Sequence, residues 1–568
     1  GGAGVKGRCM VRCGRVLIVA IAGLLGVVRS NAAKPQADAS PPMIYCEPAS
    51  IAPGRTTEVT FHNVPSGAAK TLWTSFPGKG EAVSGGAARF RITLPADAPA
   101  GIGAVRVATA GGLSGPAFLM IDDLPVLPRE SGRHLAQEPR SIPVLCAIDG
   151  ASEPLASDFY RFRAKAGQRI AFEVVAQRAG SRMDPLVRLL DTRGGRELAY
   201  VDDTPGLGAD VRFAHTFAAD GDYLLEVRDA DYEGSPEHRY RLRVGDFPAV
   251  TVAFPLGGKR GTQANLSFVG PAGEGVGPVA VRLPTDVDAV NVGVKYPEGH
   301  SSAFVTVLCG AGDEFVAASA NHTAETAAAV TVPRTISGRF DTPGVRDFYS
   351  IQAKKGERFV VRGQTRSVGS AVDLLFQVFA PEGKRVAESK PAGPDDGFVA
   401  FAAPADGVYR LCAEDLNRGG GAAAVYRLEV ERGAGDFVLS TETERVEAAA
   451  GGSFRLKVKA ERRGYDGPIT LSPALPIEGM RVKNETIAAG GKALETEMEV
   501  TLPPASAAVT DLRSFRVVGR GGGVERVVST GPALRKMYPR LMDVPAEVDG
   551  QIGLRVRPAK AAASGKKD

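Results

Sequence analysis

The sequence predicts an all-β chain, a tandem array of β-sandwich domains, on three observations. Apolar and polar residues alternate with period two in segment after segment, as in Phe454-Arg455-Leu456-Lys457-Val458-Lys459. The 69 glycines and 39 prolines punctuate the chain at short intervals, which suits short strands and tight turns. One long stretch also occurs twice. A chain of 568 residues has room for several such domains.

The opening residues carry no strand pattern. Residue 1 is Gly, and Met10 is read as the start. Arg12 and Arg15 precede an apolar run over 16–28, and Arg29-Ser30-Asn31-Ala32-Ala33 follows it. A basic n-region, a short apolar core and small residues make region 1–33 a secretory signal peptide. Cleavage after Ala32 fits Ser-x-Ala, and after Ala39 it fits Ala-x-Ala. The run is shorter than the roughly 20 residues of a spanning helix. The alternative is an anchor that is never removed. With no second long apolar stretch, no membrane span is expected in the mature chain, which is assigned to the periplasm, cell surface or extracellular space.

The repeat is the clearest signal. Asp158-Phe159-Tyr160-Arg161-Phe162-Arg163-Ala164-Lys165-Ala166-Gly167 returns as Asp347-Phe348-Tyr349-Ser350-Ile351-Gln352-Ala353-Lys354-Lys355-Gly356, 189 residues on. The match runs to Gly194 against Gly383. It loses three residues in the second copy, then resumes at Ala219-Asp220-Gly221-Asp222-Tyr223 against Ala405-Asp406-Gly407-Val408-Tyr409. Tyr160, Phe162 and Ala164 are expected on the core face, with Phe159, Arg161 and Arg163 opposite. A fainter repeat pairs Pro48 and Gly54 with Pro255 and Gly261. Val59 and Phe61, then Leu266 and Phe268, follow as alternating core residues. In the last segment, 515–518 and 524–528 flank Gly521-Gly522-Gly523 as a hairpin. Residues 324–329 are the one stretch expected to be helical.

The repeated residues, with Gly180-Ser181, Asp184-Pro185, Asp202-Asp203 and Arg228-Asp229, resemble the bacterial pre-peptidase C-terminal domain, or PPC. Phe254-Pro255-Leu256-Gly257-Gly258-Lys259-Arg260-Gly261 and Gly464-Tyr465-Asp466-Gly467-Pro468 resemble the flanking Ig-like segments of large exported planctomycete proteins. The resemblance implies a jelly-roll-like sandwich with no activity of its own. It is similar to the collagen-binding domains of clostridial collagenases, some of which bind calcium. No peptidase domain precedes the copies here.

The resulting domains are Ig-like at 43–122, PPC-like at 128–247, small Ig-like at 248–310, PPC-like at 313–432 and Ig-like at 436–558, with a polar tail at 559–568. The joins at Asp122-Asp123-Leu124-Pro125 and Gly245-Asp246-Phe247-Pro248 are read as polar linkers. Cys46, Cys146, Cys309 and Cys412 then fall in different domains and are expected as separate buried thiols.

The net charge of +5 is mixed along the chain, and no basic block is dense enough to follow a phosphate backbone, so no nucleic-acid partner is expected. The six histidines form no His-Glu-x-x-His, and there is no Gly-x-Ser-x-Gly elbow or Walker loop. No catalytic residue or cofactor is assigned. Asp202 and Asp203 are the metal candidates, for calcium, because hard cations take carboxylate oxygens. Adjacent aspartates share an ion only in a loop, and the competing reading is that they cap turns. Trp73 is assigned to the core, and Tyr160, Tyr223, Tyr349 and Tyr409 to core or corner positions in the strands. The functional expectation is a non-catalytic exported binding or scaffold protein whose sandwiches, in a row, hold surfaces apart. Its partner is a cell-surface polymer or another exported protein. The alternatives are an accessory subunit of an exported peptidase or other hydrolase, and a hydrolase in its own right.

Overall fold

Period-two alternation becomes burial along the strand Asp158–Ala164: Tyr160, Phe162 and Ala164 are buried, while Arg161 and Arg163 are exposed. The same logic runs through the computed structural model, which is 51% strand and 3% helix. It describes residues 42–558 except 86–87, 129, 131–134, 392–394, 434 and 505–510. The signal-peptide region 1–33, the tail 559–568 and His134 lie outside the described residues.

The duplicated stretches fold alike. In the first, one sheet has the order Arg140–Ser141, Asp158–Ala164, Gly221–Asp229, Pro185–Asp191, Arg196–Val201. In the second, the order is Ala328–Ala329, Arg346–Ala353, Gly407–Asp415, Leu374–Phe379, Arg385–Glu388. Each begins with a short edge strand running parallel to its neighbour. The opposing sheets also correspond, except that the second copy adds the strand Glu314–Val316. Both cores hold a linked tyrosine pair, Tyr160–Tyr240 and Tyr349–Tyr426, at 2.6 Å. The second tyrosine of each pair donates to Asp158 or Asp347, the residue that opens the motif. The Tyr223 and Tyr409 hydroxyls donate to the carbonyls of Ala219 and Ala405, closing a corner in each copy.

The first and third segments are smaller sandwiches. Val59 and Phe61, and Leu266 and Phe268, are all buried, as the fainter repeat requires. The third segment does not close a core by itself: Leu266, Phe268, Val305 and Val307 pack with Leu124, Ala147, Ala171 and Phe247.

Four sequence expectations are corrected. Residues 324–329 form a bend and the edge strand Ala328–Ala329, not a helix; the β-neighbour Arg346–Ala353 supplies the hydrogen bonds that a run of alanines would otherwise make internally. The helix of the described residues is Gly531–Met537, with Pro532 in its first turn. Phe515 ends the strand Asp511–Phe515, and the hairpin strand is Val517–Gly521, because the chain changes sheet at Arg516. Trp73 is only partly buried, since its strand Ala69–Thr74 lies at a sheet edge.

The joins are not solvated linkers. Asp122 is 1% exposed, and Leu124 and Phe247 are equally buried. Asp122 accepts hydrogen bonds from Arg241 (2.9 Å) and Arg243 (3.0 Å) of the second segment. Arg243 also reaches Glu173 and, at 2.6 Å, the Ser302 carbonyl of the third segment. Glu173 takes Arg212 and Arg178 as well, Arg178 pairs with Asp210, and Arg241 pairs with Asp149. Four carboxylates thus meet four guanidiniums in the interior. Burial by itself would raise Glu173, but Arg212, Arg243 and Arg178 outweigh it and hold the carboxyl well below its usual range. At Asp122 burial likewise raises the carboxyl, but Arg243 and Arg241 outweigh it and hold it below its usual range.

Nor do the sandwiches stand in a row. The fifth segment docks on the first, where Arg106 (1% exposed) binds Glu444 and the Gln551 carbonyl (3.1 Å), and Tyr538 donates to Pro116. Asp436 of the fifth segment accepts from Arg362 of the fourth at 2.6 Å.

Replacing Asp122 by Ala leaves two buried guanidiniums short of a carboxylate and is expected to destabilise the chain by about 3–5 kcal/mol in urea unfolding. Glu58→Ala removes only an exposed partner of Arg89 and Arg91 and is expected to cost less than about 1 kcal/mol. Similar small losses for both would refute a joint held by charge. The folded pKa values of Asp122 and Glu173 are depressed, so their contribution is complete above about pH 4.5 and is lost as pH falls below it. The Asp122→Ala chain should therefore lose less Tm than the parent between pH 7 and pH 3.

Candidate functional site

A cavity of 330 Å³ opens where the five segments meet, between Ile102 of the first, Gln177 and Leu207 of the second, Phe304 of the third, Val368 of the fourth and Leu541 of the fifth. The short helical turns Gln177–Ala179 and Arg366–Val368, equivalent in the two copies, both reach its wall. Each turn is held by a buried aspartate. Asp210 accepts from the backbone N–H of Ala176 (3.0 Å) and Gln177 (2.8 Å). Asp396 accepts from Thr365 (2.8 Å) and Arg366 (3.2 Å). Asp396 is thus the counterpart of Asp210 and not of Asp202 or Asp203. The three residues lost from the second copy hide this in the sequence.

The two copies touch at the cavity through glycines. Gly206 and Gly369 have φ of +89° and +88°, and a Cβ on Gly206 would lie 2.0 Å from the Gly369 carbonyl oxygen. No side chain fits there without parting the copies.

Three acids line the cavity, and one of them, Asp549, is engaged by the Ser529 hydroxyl and the Thr530 and Gly531 N–H groups. Asp543 is pushed up to about 6 by burial among protein groups and by Asp396, against the pull of Arg366 and Arg535. Its own surface is nevertheless accessible, because it faces the cavity space instead of a packed neighbour. Glu547 is raised by the same desolvation. Beside them, Gln177 is 9% exposed and its Nε2 has no hydrogen-bond partner. None of these residues has a motif. Only the meeting of distant segments brings them together, although the match of Gln177 to Arg366 across the repeat was the available hint.

Asp202 and Asp203 lie exposed in the loop after the strand Arg196–Val201, outside the cavity lining. Asp202 Oδ1 accepts the Asp203 N–H at 2.9 Å. Asp203 raises Asp184, after burial, and Asp184 also lies 3.7 Å from Arg540. Asp229 turns its oxygens to the N–H groups of Asp184, Asp231 and Glu233. Among the described residues, no group of three or more His, Cys, Asp and Glu side chains is arranged to hold a metal ion.

The five described histidines pack or pair within the fold. His62 stacks on Tyr45 at 4.6 Å, His215 meets Phe217 edge-on, and His300 and His322 pair with Asp246 and Asp347 at 2.9 Å. His238 Nδ1 lies 2.8 Å from Ser235 Oγ, and its Nε2 lies 3.5 Å from Glu233. All three sit in one turn, in which Ser235 Oγ also accepts the Glu237 N–H at 3.1 Å. Among the described residues, Cys46, Cys146, Cys309 and Cys412 are buried and free, with burial pushing the Cys46 thiol up to about 12.

Because the folded pKa of Asp543 is raised, its protonated form is favoured in the fold, and a stability penalty grows as pH rises from about 4 through about 6. Asp543→Asn is expected to raise Tm at pH 7.5 and leave it unchanged at pH 4. Thermal scans at the two pH values test this, and a gain of equal size at both would refute it.

No family model and no curated protein matches the chain. Among solved structures, it is similar to PliG of Aeromonas hydrophila, a periplasmic inhibitor of g-type lysozyme, at 20% identity, with 21% of this chain and 98% of that one covered and a TM-score of 0.15. It is similar to domains 1–6 of the surface layer protein SbsC at 9% identity, with 92% and 55% covered and a TM-score of 0.14. It is also similar to the eight N-terminal Ig domains of Down Syndrome Cell Adhesion Molecule at 11% identity, with 85% and 53% covered and a TM-score of 0.13. At these TM-scores none of them carries an argument about this chain.

Proposed function

We propose that the chain is a non-catalytic exported protein that binds or scaffolds at the cell surface or in the periplasm, built around two PPC-like sandwiches. The reading is supported chiefly by where the polar interior goes. Its charged groups join one segment to another, at Asp122, Glu444 and Asp436. Among the described residues the Ser235–His238 pair is the nearest approach to a nucleophile and base, and both side chains are used within their own turn. The matching strand order of the two copies, apart from the added strand Glu314–Val316 in the second, supports the reading of a duplicated sandwich. Loops left on the outside of a rigid assembly suit contact with a surface polymer or another exported protein.

Pull-down from an envelope extract and a glycan array are expected to return a retained partner, with no hydrolysis of peptide or glycoside substrates. A clean chain that retains nothing, or a hydrolysis abolished by Ser235→Ala, would sink the reading. Calcium at Asp202 or Asp203 belongs to the same proposal: millimolar calcium should raise Tm in the parent and not in Asp202→Ala. Identical melting with and without calcium would dismiss the ion.

A further inference from the structure

At the five-way junction Asp543 and Glu547 line the cavity without a direct ion pair among the described residues, Arg366 and Arg535 acting on Asp543 only from a distance. Each guanidinium on the wall is already engaged. Arg178 binds Glu173 and Asp210, both at 2.7 Å. Arg366 binds Asp396 (3.5 Å) and the Asp395 carbonyl (3.2 Å), and Arg540 faces Asp184 at 3.7 Å. Among the described residues, no other side chain makes a hydrogen bond or ion pair to the carboxyls of Asp543 and Glu547. Independently, Gln177, 9% exposed, presents an Nε2 donor without a partner on the same wall. A buried donor left unpaired is destabilising unless something occupies the space before it.

The complement of these features is specific in kind. Two unpaired carboxyls call for a cation, and an orphan N–H calls for an acceptor. The wall between them, including Leu207, Val305 and Leu541, is apolar and suits an organic body more than a bare ion. An anionic ligand would meet the carboxyls instead of the engaged arginines. At 330 Å³ the space sits at the low end of the roughly 300–1,000 Å³ of small-molecule sites. We infer that this cavity binds a small primary amine, its ammonium held by Asp543 and Glu547 and a carbonyl-type acceptor on its body taking the Gln177 Nε2 proton. That chemistry belongs both to free amino-acid-like molecules and to the N-terminus of a peptide.

Calorimetry on the full chain with leucine amide tests the inference. Saturable binding is expected, with N-acetyl-leucine amide about tenfold weaker or worse because the cation is gone. The Asp543→Asn/Glu547→Gln double variant should lose about tenfold in affinity. Gln177→Leu should lose affinity for the same probe while its melting stays at or above that of the parent. Ala546→Trp adds bulk at the cavity lining without removing a charge and should weaken binding about tenfold. Equal affinity for the acetylated amide, undiminished affinity in the double variant, or no heat with millimolar leucine amide would each overturn the site. A pentapeptide with free N-terminal leucine that binds as tightly assigns the site to peptide termini, and its exclusion assigns it to free amines. A chain that binds the amine but retains nothing from an envelope extract would refute the scaffold reading and leave the cavity site standing.

Discussion

The structure depends on the buried charge network centred on Glu173 and Asp122. Taking four carboxylates and four guanidiniums out of water is favourable only if every group finds partners from more than one direction. Here the partners come from three segments at once: Asp122 from the first, Glu173 and the arginines from the second, and the Ser302 and Phe304 carbonyls from the third. A charge paired across a join makes opening that join expensive, because opening strands a buried ion. The network therefore turns what reads as a string of sandwiches into one body.

The fourth and fifth segments solve the same problem with the charge reversed. Glu173 lies across from Arg243 in the first copy. Arg362 occupies the position of Glu173 in the second, and lies across from Glu429. The pair is kept and its sign is swapped. Glu173 gathers the arginines of its own sandwich toward Asp122, whereas Arg362 reaches out to Asp436 of the fifth segment. Duplicated sandwiches thus present the same sheet position to different neighbours, and the sign of one side chain matches each to its partner. The fifth segment then closes on the first through Arg106 and Tyr538. The junction cavity is the space left where these contacts converge.

That convergence bears on the third segment. Its sheets are small, and its apolar face is completed by Ala147, Ala171 and Phe247 from the neighbouring sandwich. A domain of this size buries a smaller fraction of its surface and is marginal by itself, and here it shares a core with its neighbour. The same borrowing explains why Leu124 and Phe247, in segments rich in Asp and Pro, are fully buried.

The sequence by itself determined the β class, the duplicated strand order and the core faces, because each depends on a local period. Alternation places Tyr160, Phe162, Val59 and Leu266 inward whatever lies beyond the sheet. It also determined the fate of the tyrosine corners and of the separate cysteines. Tertiary structure alone decided how the sandwiches sit together and what lines the space between them. Asp122 looks like a linker residue until two arginines more than a hundred positions away close on it. Asp543, Glu547 and Gln177 carry no motif, since they meet only in the lining of a cavity to which distant segments contribute. The helix Gly531–Met537 and the edge strand Ala328–Ala329 reversed the expected propensities for the same reason: contacts with distant neighbours outweigh the preference of a few residues.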